Sequence, residues 1–177
     1  MQGTPTYAFE TRDGQQVRVF SADMTDEARL RDLIDRATPE NRVTASQSQP
    51  STASADVAAV LLDGYTWIAL IEGDPDDADP VAVARYSQVC EGEVAVSVVV
   101  RDDMQGRGIG SRMLYFLLDQ ARAAGARKAI TSFASTNEAA WQVMQYSPYH
   151  MTWQQRGSKI DMVVYLQARA SLGTTMN

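Results

Sequence analysis

The chain has 177 residues, of which 45% are hydrophobic and 21% are charged, and its formal net charge is -6 at neutral pH. This length and composition favour one globular domain with a sizeable core, and they exclude a disordered, collagen-like or coiled-coil chain. The acidic balance argues against nucleic acid as the main partner, whereas a cationic amine would be attracted.

The cysteine and histidine counts narrow the chemistry further. Cys90 is the single cysteine and cannot form an internal disulfide, and His150 is the single histidine and cannot build a histidine-based metal cluster. No apolar stretch approaches the roughly 20 residues of a membrane span, and the first residues lack a basic segment followed by an apolar one. We therefore expect a cytoplasmic protein with no metal and no membrane partner.

The first predicted element is a strand. Polar and apolar side chains alternate from Gln15 to Phe20 after an Asp13-Gly14 turn signal, and residues 1–14 are expected to be an N-terminal extension. Thr25 is the expected cap of a helix. Its apolar stripe recurs at helical spacing and consists of Leu30, Leu33, Ile34 and Ala37. The Ser-rich stretch 44–54 predicts a loop, with a short helix after it.

The middle of the chain predicts a strand–helix–strand unit. Before it, β-rich runs at Tyr65–Ile71 and Val81–Ser87 flank an acidic loop, as in a hairpin. Residues Glu93–Val100 alternate with valines on one face, and both faces are largely apolar, which predicts a central strand. A helical stripe from Met113 to Ala124 and a strand at Lys128–Phe133 complete the unit.

The end of the chain predicts a helix at Asn137–Tyr146 and then a hairpin of His150–Gln155 and Lys159–Leu166, with residues 167–177 as a C-terminal tail. Together the elements predict an α+β fold. Its central sheet is expected to be mixed, largely antiparallel with one parallel crossover, and flanked by helices.

The strongest functional signal is the segment Gln105–Gly110, between the predicted central strand and the next helix. Its glycines allow a close backbone approach, and the helix presents unpaired N–H groups at its positive end. That combination predicts a phosphate or diphosphate site, although the same glycines also fit an ordinary tight turn. A P-loop would need a lysine before Ser111, and a dinucleotide fold would need a glycine at that serine and an acid at the end of the next strand.

The segment resembles motif A of the GNAT acetyltransferases, Gln/Arg-x-x-Gly-x-Gly/Ala, with Gln105, Gly108 and Gly110 at the matching positions. The order of elements is also similar, including the valine-rich strand before the motif. The segments 11–14 and 99–105 look most like bacterial protein-lysine acetyltransferases of the Pat type. The resemblance implies one domain over residues 15–166 with the GNAT fold, in which the central strands splay apart.

The resemblance also implies acetyl-CoA, or another acyl-CoA, as the donor. Main-chain N–H groups of the motif would hold its diphosphate, namely those of Gln105, Gly106, Arg107, Gly108, Ile109, Gly110 and Ser111. The backbone of Val98, Val99 and Val100 would pair with the pantetheine arm like an added strand. Asn137 would bind the arm from the other side, although it also fits an ordinary helix cap.

The catalytic residues of such proteins are partly missing. Relatives carry a glutamate where this chain has Ala95, so Glu93, on the same face of the strand, is the candidate base. Relatives carry a tyrosine that protonates the departing thiolate where this chain has Met144. Tyr146 is the candidate for that role, and it also fits a packing role at the helix end.

The resemblance therefore implies an N-acyltransferase that moves an acetyl group to a protein lysine or a small cationic amine by direct attack in a ternary complex. The alternative is a catalytically inactive CoA-binding or sensor module of the same fold. Ala95 and Met144 favour it, because they replace the expected glutamate and tyrosine. The chain is expected to be a monomer or a homodimer.

Overall fold

The computed structural model describes residues 5–37, 65–73 and 79–167. In chain order the elements of these residues are β1 Tyr7–Glu10, β2 Gln16–Ser21, α1 Glu27–Arg36, β3 Tyr65–Ile71, β4 Ala82–Cys90, β5 Glu93–Val100, α2 Ile109–Ala123, β6 Lys128–Ala134, α3 Glu138–Gln145, β7 His150–Arg156 and β8 Lys159–Tyr165. The predicted loop at 44–54 and the short helix after it lie outside the described residues, as do residues 74–78 of the acidic loop.

The strands form one sheet in the order β1-β2-β3-β4-β5-β6-β8-β7. Neighbouring strands are antiparallel except for β5 and β6, which are parallel and are joined by α2. The predicted α+β fold, with a largely antiparallel sheet and one parallel crossover, is therefore confirmed.

Helices cover both faces of the sheet, and each buries an apolar stripe. On one face, α1 buries Leu30 and Ile34 against β-sheet side chains. On the other face, α2 buries Met113 and Leu117, and α3 adds Met144 to the same core. The helical spacing in the sequence predicted the buried sides of α1 and α2 correctly except at Ala124, which is exposed.

β5 lies in the middle of the sheet with both faces covered. Val94 and Val96 belong to the core beneath α2, whereas Val99 belongs to the core beneath α1. This is the arrangement expected from the alternation, because successive strand residues point to opposite faces. A strand covered on both sides is well suited to hold a site rigidly.

Two local expectations differ from the structure. Residues 1–14 were expected to be an extension, but β1 lies within them and pairs with β2; four residues are too few to reveal an alternation. Thr25 was expected to cap the first helix, and this is wrong. Thr25 lies inside a 3₁₀ turn, Met24–Asp26, that precedes α1. The cap of this turn is Asp23, whose carboxylate accepts hydrogen bonds from the Thr25 N–H at 2.7 Å and from the Thr25 hydroxyl at 2.6 Å.

The burial of α2 generates a stability prediction. Leu117 is 0% exposed, so Leu117→Ala leaves a cavity and should lower the free energy of unfolding by about 2–5 kcal/mol. Gln120→Ala, at a partly exposed position of the same helix, is the matched control and should change it by less than about 0.5 kcal/mol. Urea unfolding followed by circular dichroism measures both variants, and equally small effects would contradict this packing.

Candidate active site

β5 and β6 separate soon after they begin. They pair at three positions, Glu93 with Lys128, Val94 with Ala129 and Ala95 with Ile130. Beyond these pairs, a cavity of about 490 Å³ lies between the two strands, the start of α2 and the helix α3. The predicted splay of the central strands is therefore confirmed, and it places a ligand-sized space beside a helix N-terminus.

The loop before α2 forms one wall of this cavity. Gly106 and Gly108 have φ angles of +76° and +86°, a left-handed conformation that favours glycine. Gly108 is also the residue that precedes the first turn of α2. Among the described residues, none accepts a hydrogen bond from the main-chain N–H groups of residues 106–111. These donors, at the positive end of a helix, form a site suited to phosphate oxygens.

The edge of β5 forms a second wall. No residue of β6 pairs with residues 98–100, so this edge is open to an extended ligand that adds as a strand would. The side chains of Val98 and Val100 line the cavity. Val99 points to the opposite face, where it is 2% exposed, so Val99 has only its main chain to offer a ligand.

Gln105 and Asn137 both line the cavity. The Gln105 N–H is already bonded to the Asp102 carbonyl at 3.3 Å, so the available main-chain donors begin at Gly106. Asn137 caps α3, since its Oδ1 accepts a hydrogen bond from the Ala140 N–H at 2.9 Å. The helix-cap interpretation of Asn137 is confirmed, and its contact with a ligand stays a prediction.

The Arg107 side chain turns away from the cavity. Its guanidinium donates to Asp13 Oδ2 and to Gln15 Oε1, both at 2.8 Å, in the turn between β1 and β2. The Thr11 hydroxyl and the Arg107 guanidinium hold the pKa of Asp13 below its ordinary value, so this carboxylate stays ionised at neutral pH. Arg107 therefore has only its main-chain N–H for a ligand, whereas Arg12 lines the cavity, a role that sequence analysis did not assign to it.

Several other residues of the wall were also missed. They are Leu114 and Tyr115 of α2 and Thr131 and Phe133 of β6. The Tyr115 hydroxyl donates to the Val143 carbonyl at 3.3 Å, which joins α2 to α3, and burial raises the Tyr115 pKa. A helical stripe marks residues that will be buried, but it does not separate those that will line a cavity.

The two candidate catalytic residues lie in different places. Tyr146 lines the cavity at the end of α3 and is 82% exposed. Glu93 is the first residue of β5, opposite Cys90 and Lys128, and is not among the residues that line the cavity. About 13 Å of strand separates it from Ser97, which does line the cavity. The described wall contains no Asp, Glu or His, so its polar side chains are hydroxyls, amides and the Arg12 guanidinium.

Within the described ranges, no helix is long and apolar enough to cross a bilayer. The same ranges hold no group of three or more His, Cys, Asp and Glu side chains that would suit a metal ion. Cys90 is an exposed free thiol at the end of β4.

Comparisons with known proteins point to acetyltransferases. Residues 28–146 match the acetyltransferase (GNAT) family. This range contains β5, the loop that leads into α2, α2 itself and β6, which together form most of the cavity wall. An acetyltransferase of Pseudomonas aeruginosa is 28% identical in an alignment of 133 positions that covers 72% of this chain and 71% of that protein.

Solved structures share the fold. The GNAT domain of S. lividans PAT has a TM-score of 0.70 and 21% identity, over 89% of this chain and 94% of that one. YncA of Salmonella typhimurium, solved with its cofactor acetyl-CoA, has a TM-score of 0.65 and 18% identity, over 88% and 96%. The ribosomal-protein-S18-alanine N-acetyltransferase of Escherichia coli has a TM-score of 0.65 and 17% identity, over 91% and 99%.

The loop geometry predicts that Gly108→Asp abolishes coenzyme A binding, with a loss of at least about 100-fold in affinity. The reason is that a carboxylate beside the main-chain donors competes with the phosphates and repels them. Gly125→Asp is the matched control. Gly125 also has a positive φ, +94°, but it lies at the other end of α2, and no atom lies within 4 Å of the position that its side-chain carbon would take. Calorimetric titration measures both variants, and equal affinities would contradict the placement of the phosphates.

Proposed function

The chain belongs to the acetyltransferase (GNAT) family, and we propose that it transfers an acetyl group from acetyl-CoA to the primary amine of a protein lysine or of a small cationic molecule. Transfer would occur by direct attack while both substrates are bound. One observation carries this proposal: the main-chain donors of the loop and the open edge of β5 meet in the same cavity.

The residues present fit two parts of acetyl-CoA, its diphosphate and its pantetheine arm. The N–H groups of residues 106–111 would hold the diphosphate, since each charge-assisted hydrogen bond from an amide contributes about 1.5–3 kcal/mol. The main chain of residues 98–100 would pair with the pantetheine arm, whose length suits an open strand edge better than a closed pocket. Asn137 would contact the arm from the start of α3 through its Nδ2 group, because the helix cap uses its Oδ1 atom.

Acetyl-CoA supplies a thioester that is already activated, so the tasks of the protein are to align the amine and to remove its proton. The cavity would hold the amine nitrogen against the acetyl carbon while the carbon–nitrogen bond forms and the carbon–sulfur bond breaks. A main-chain N–H within residues 98–100 would polarise the carbonyl oxygen. Glu93 would accept the amine proton through a chain of waters, because about 13 Å of strand separates it from Ser97 in the cavity wall, and Tyr146 would donate a proton to the departing thiolate.

The acceptor follows from charge and from the sequence resemblance. The formal charge of -6 attracts a cation, and the segments that look like Pat-type enzymes favour a protein lysine. The acyl chain, the cytoplasmic location and the monomeric or homodimeric state stay predictions.

A second candidate function is a CoA-binding module without turnover. Ala95 and Met144 stand where relatives carry the glutamate and the tyrosine, and Met144 is 6% exposed in the wall of the cavity. The described wall also holds no carboxylate. This function predicts coenzyme A binding without acetyl transfer.

One assay separates the two candidates. Purified protein mixed with acetyl-CoA should release free thiol when lysine peptides or polyamines are added, and the acceptor should gain the mass of one acetyl group. Gly108→Asp provides the matched background. Coenzyme A binding without thiol release above that background would favour the module, and no binding of coenzyme A would contradict both.

The candidate base generates a separate prediction. Glu93→Gln should lower kcat by about tenfold to a hundredfold and leave the Kd for coenzyme A unchanged, because Glu93 lies outside the cavity. Glu91→Gln is the matched control, since Glu91 is exposed in the turn just before β5, and it should leave kcat unchanged. Steady-state rates across pH measure both variants. Equal rates for the two would exclude Glu93 as the base.

A further inference from the structure

The turn between β1 and β2 touches the loop that leads into α2. The Arg12 N–H donates to the Arg107 carbonyl at 3.0 Å, and Arg12 Nη1 donates to the Gly106 carbonyl at 3.4 Å. A side-chain carbon built on Gly108 would lie 3.6 Å from the Arg12 Cγ and Nε atoms. The Arg12 side chain therefore lies against the loop at the position where the main-chain donors begin.

The contact is reciprocal, because the loop also holds the turn. Arg107 donates to Asp13 and Gln15 of the turn. Within the turn, the Thr11 hydroxyl donates to Asp13 Oδ1 at 2.6 Å and accepts from the Gln15 N–H at 2.9 Å. The main chain on either side of Arg12 is thus fixed, and the direction of the Arg12 side chain is set by the turn.

The two arginines differ in charge environment. Arg107 forms a salt bridge with Asp13, so its charge is offset outside the cavity. Arg12 forms no salt bridge with any residue that the structure describes, and it is the one Lys or Arg among the described residues that line the cavity.

We propose that Arg12, which lies in the β1–β2 turn, binds a phosphate of coenzyme A. Arg107 holds that turn in place. The inference rests on the proposed function, because it concerns the same cavity. The shared chemistry is a phosphate group, which belongs to the diphosphate or to the ribose 3′-phosphate. An arginine suits either, since its planar guanidinium donates two parallel hydrogen bonds to phosphate oxygens.

The test is calorimetric titration of the full chain with coenzyme A and with dephospho-coenzyme A, which lacks the 3′-phosphate. Arg12→Gln should weaken coenzyme A binding by about tenfold. Arg12→Lys should recover part of the loss, because lysine keeps the positive charge but cannot donate two parallel hydrogen bonds. Arg112→Gln is the control: it removes the same charge from an exposed position in the first turns of α2 that does not line the cavity. Circular dichroism confirms that each variant is folded.

Each outcome decides one point. A loss for both ligands assigns Arg12 to the diphosphate, and a loss for coenzyme A alone assigns it to the 3′-phosphate; both support the proposal. Affinity equal to that of Arg112→Gln overturns it. Weaker binding with an unchanged dependence on salt also overturns it. A residue that only supports the loop makes no charge contact with the ligand, so its loss would leave the salt dependence of the affinity as it was. Failure of the wild-type chain to bind either ligand would instead contradict the proposed function.

Discussion

The short parallel contact between β5 and β6 is the constraint on which the site depends. The strands pair at three positions and then diverge, so the next residues of β5 have an edge that no strand covers. A crossover helix between parallel strands begins at the end of the first strand. For that reason the N-terminus of α2 lies beside the gap. The gap, the open edge and the helix end therefore arise from one topological feature.

The loop at the start of α2 needs support from a distant part of the chain. Its positive φ angles at Gly106 and Gly108 set the course of the main chain, and within the loop Arg107 Nη2 donates to the Asp103 carbonyl at 3.4 Å. The β1–β2 turn gives further support, through hydrogen bonds between residues that are 92 to 94 positions apart in sequence. β1 pairs with β2 at the edge of the sheet, and this pairing is what brings the turn to the loop.

Most of the described elements, but not β1, and the loop could be predicted from the sequence because their signals are local. The alternation in Glu93–Val100, the stripe of α2 and the glycines of the loop each lie within a single element. The cavity-facing role of Arg12 could not be predicted in this way, since it depends on the pairing of β1 with β2 and on the competition of Asp13 for Arg107. The position of Glu93 outside the cavity depends on the residue at which β5 and β6 stop pairing. The sequence pattern of one strand does not predict where pairing with its neighbour ends.

The distribution of charge fits a two-substrate site. The chain carries a formal charge of -6, yet the described wall of the cavity holds one arginine and no carboxylate. An anionic carrier would therefore meet main-chain donors and a cation inside the cavity, while the net negative charge of the chain would attract the proposed cationic acceptor. Because a thioester needs alignment more than activation, the proposed transfer would need little more from the wall than correct placement of the two substrates. The geometry of the gap would supply that alignment, and Glu93 and Tyr146 would supply only the proton transfers.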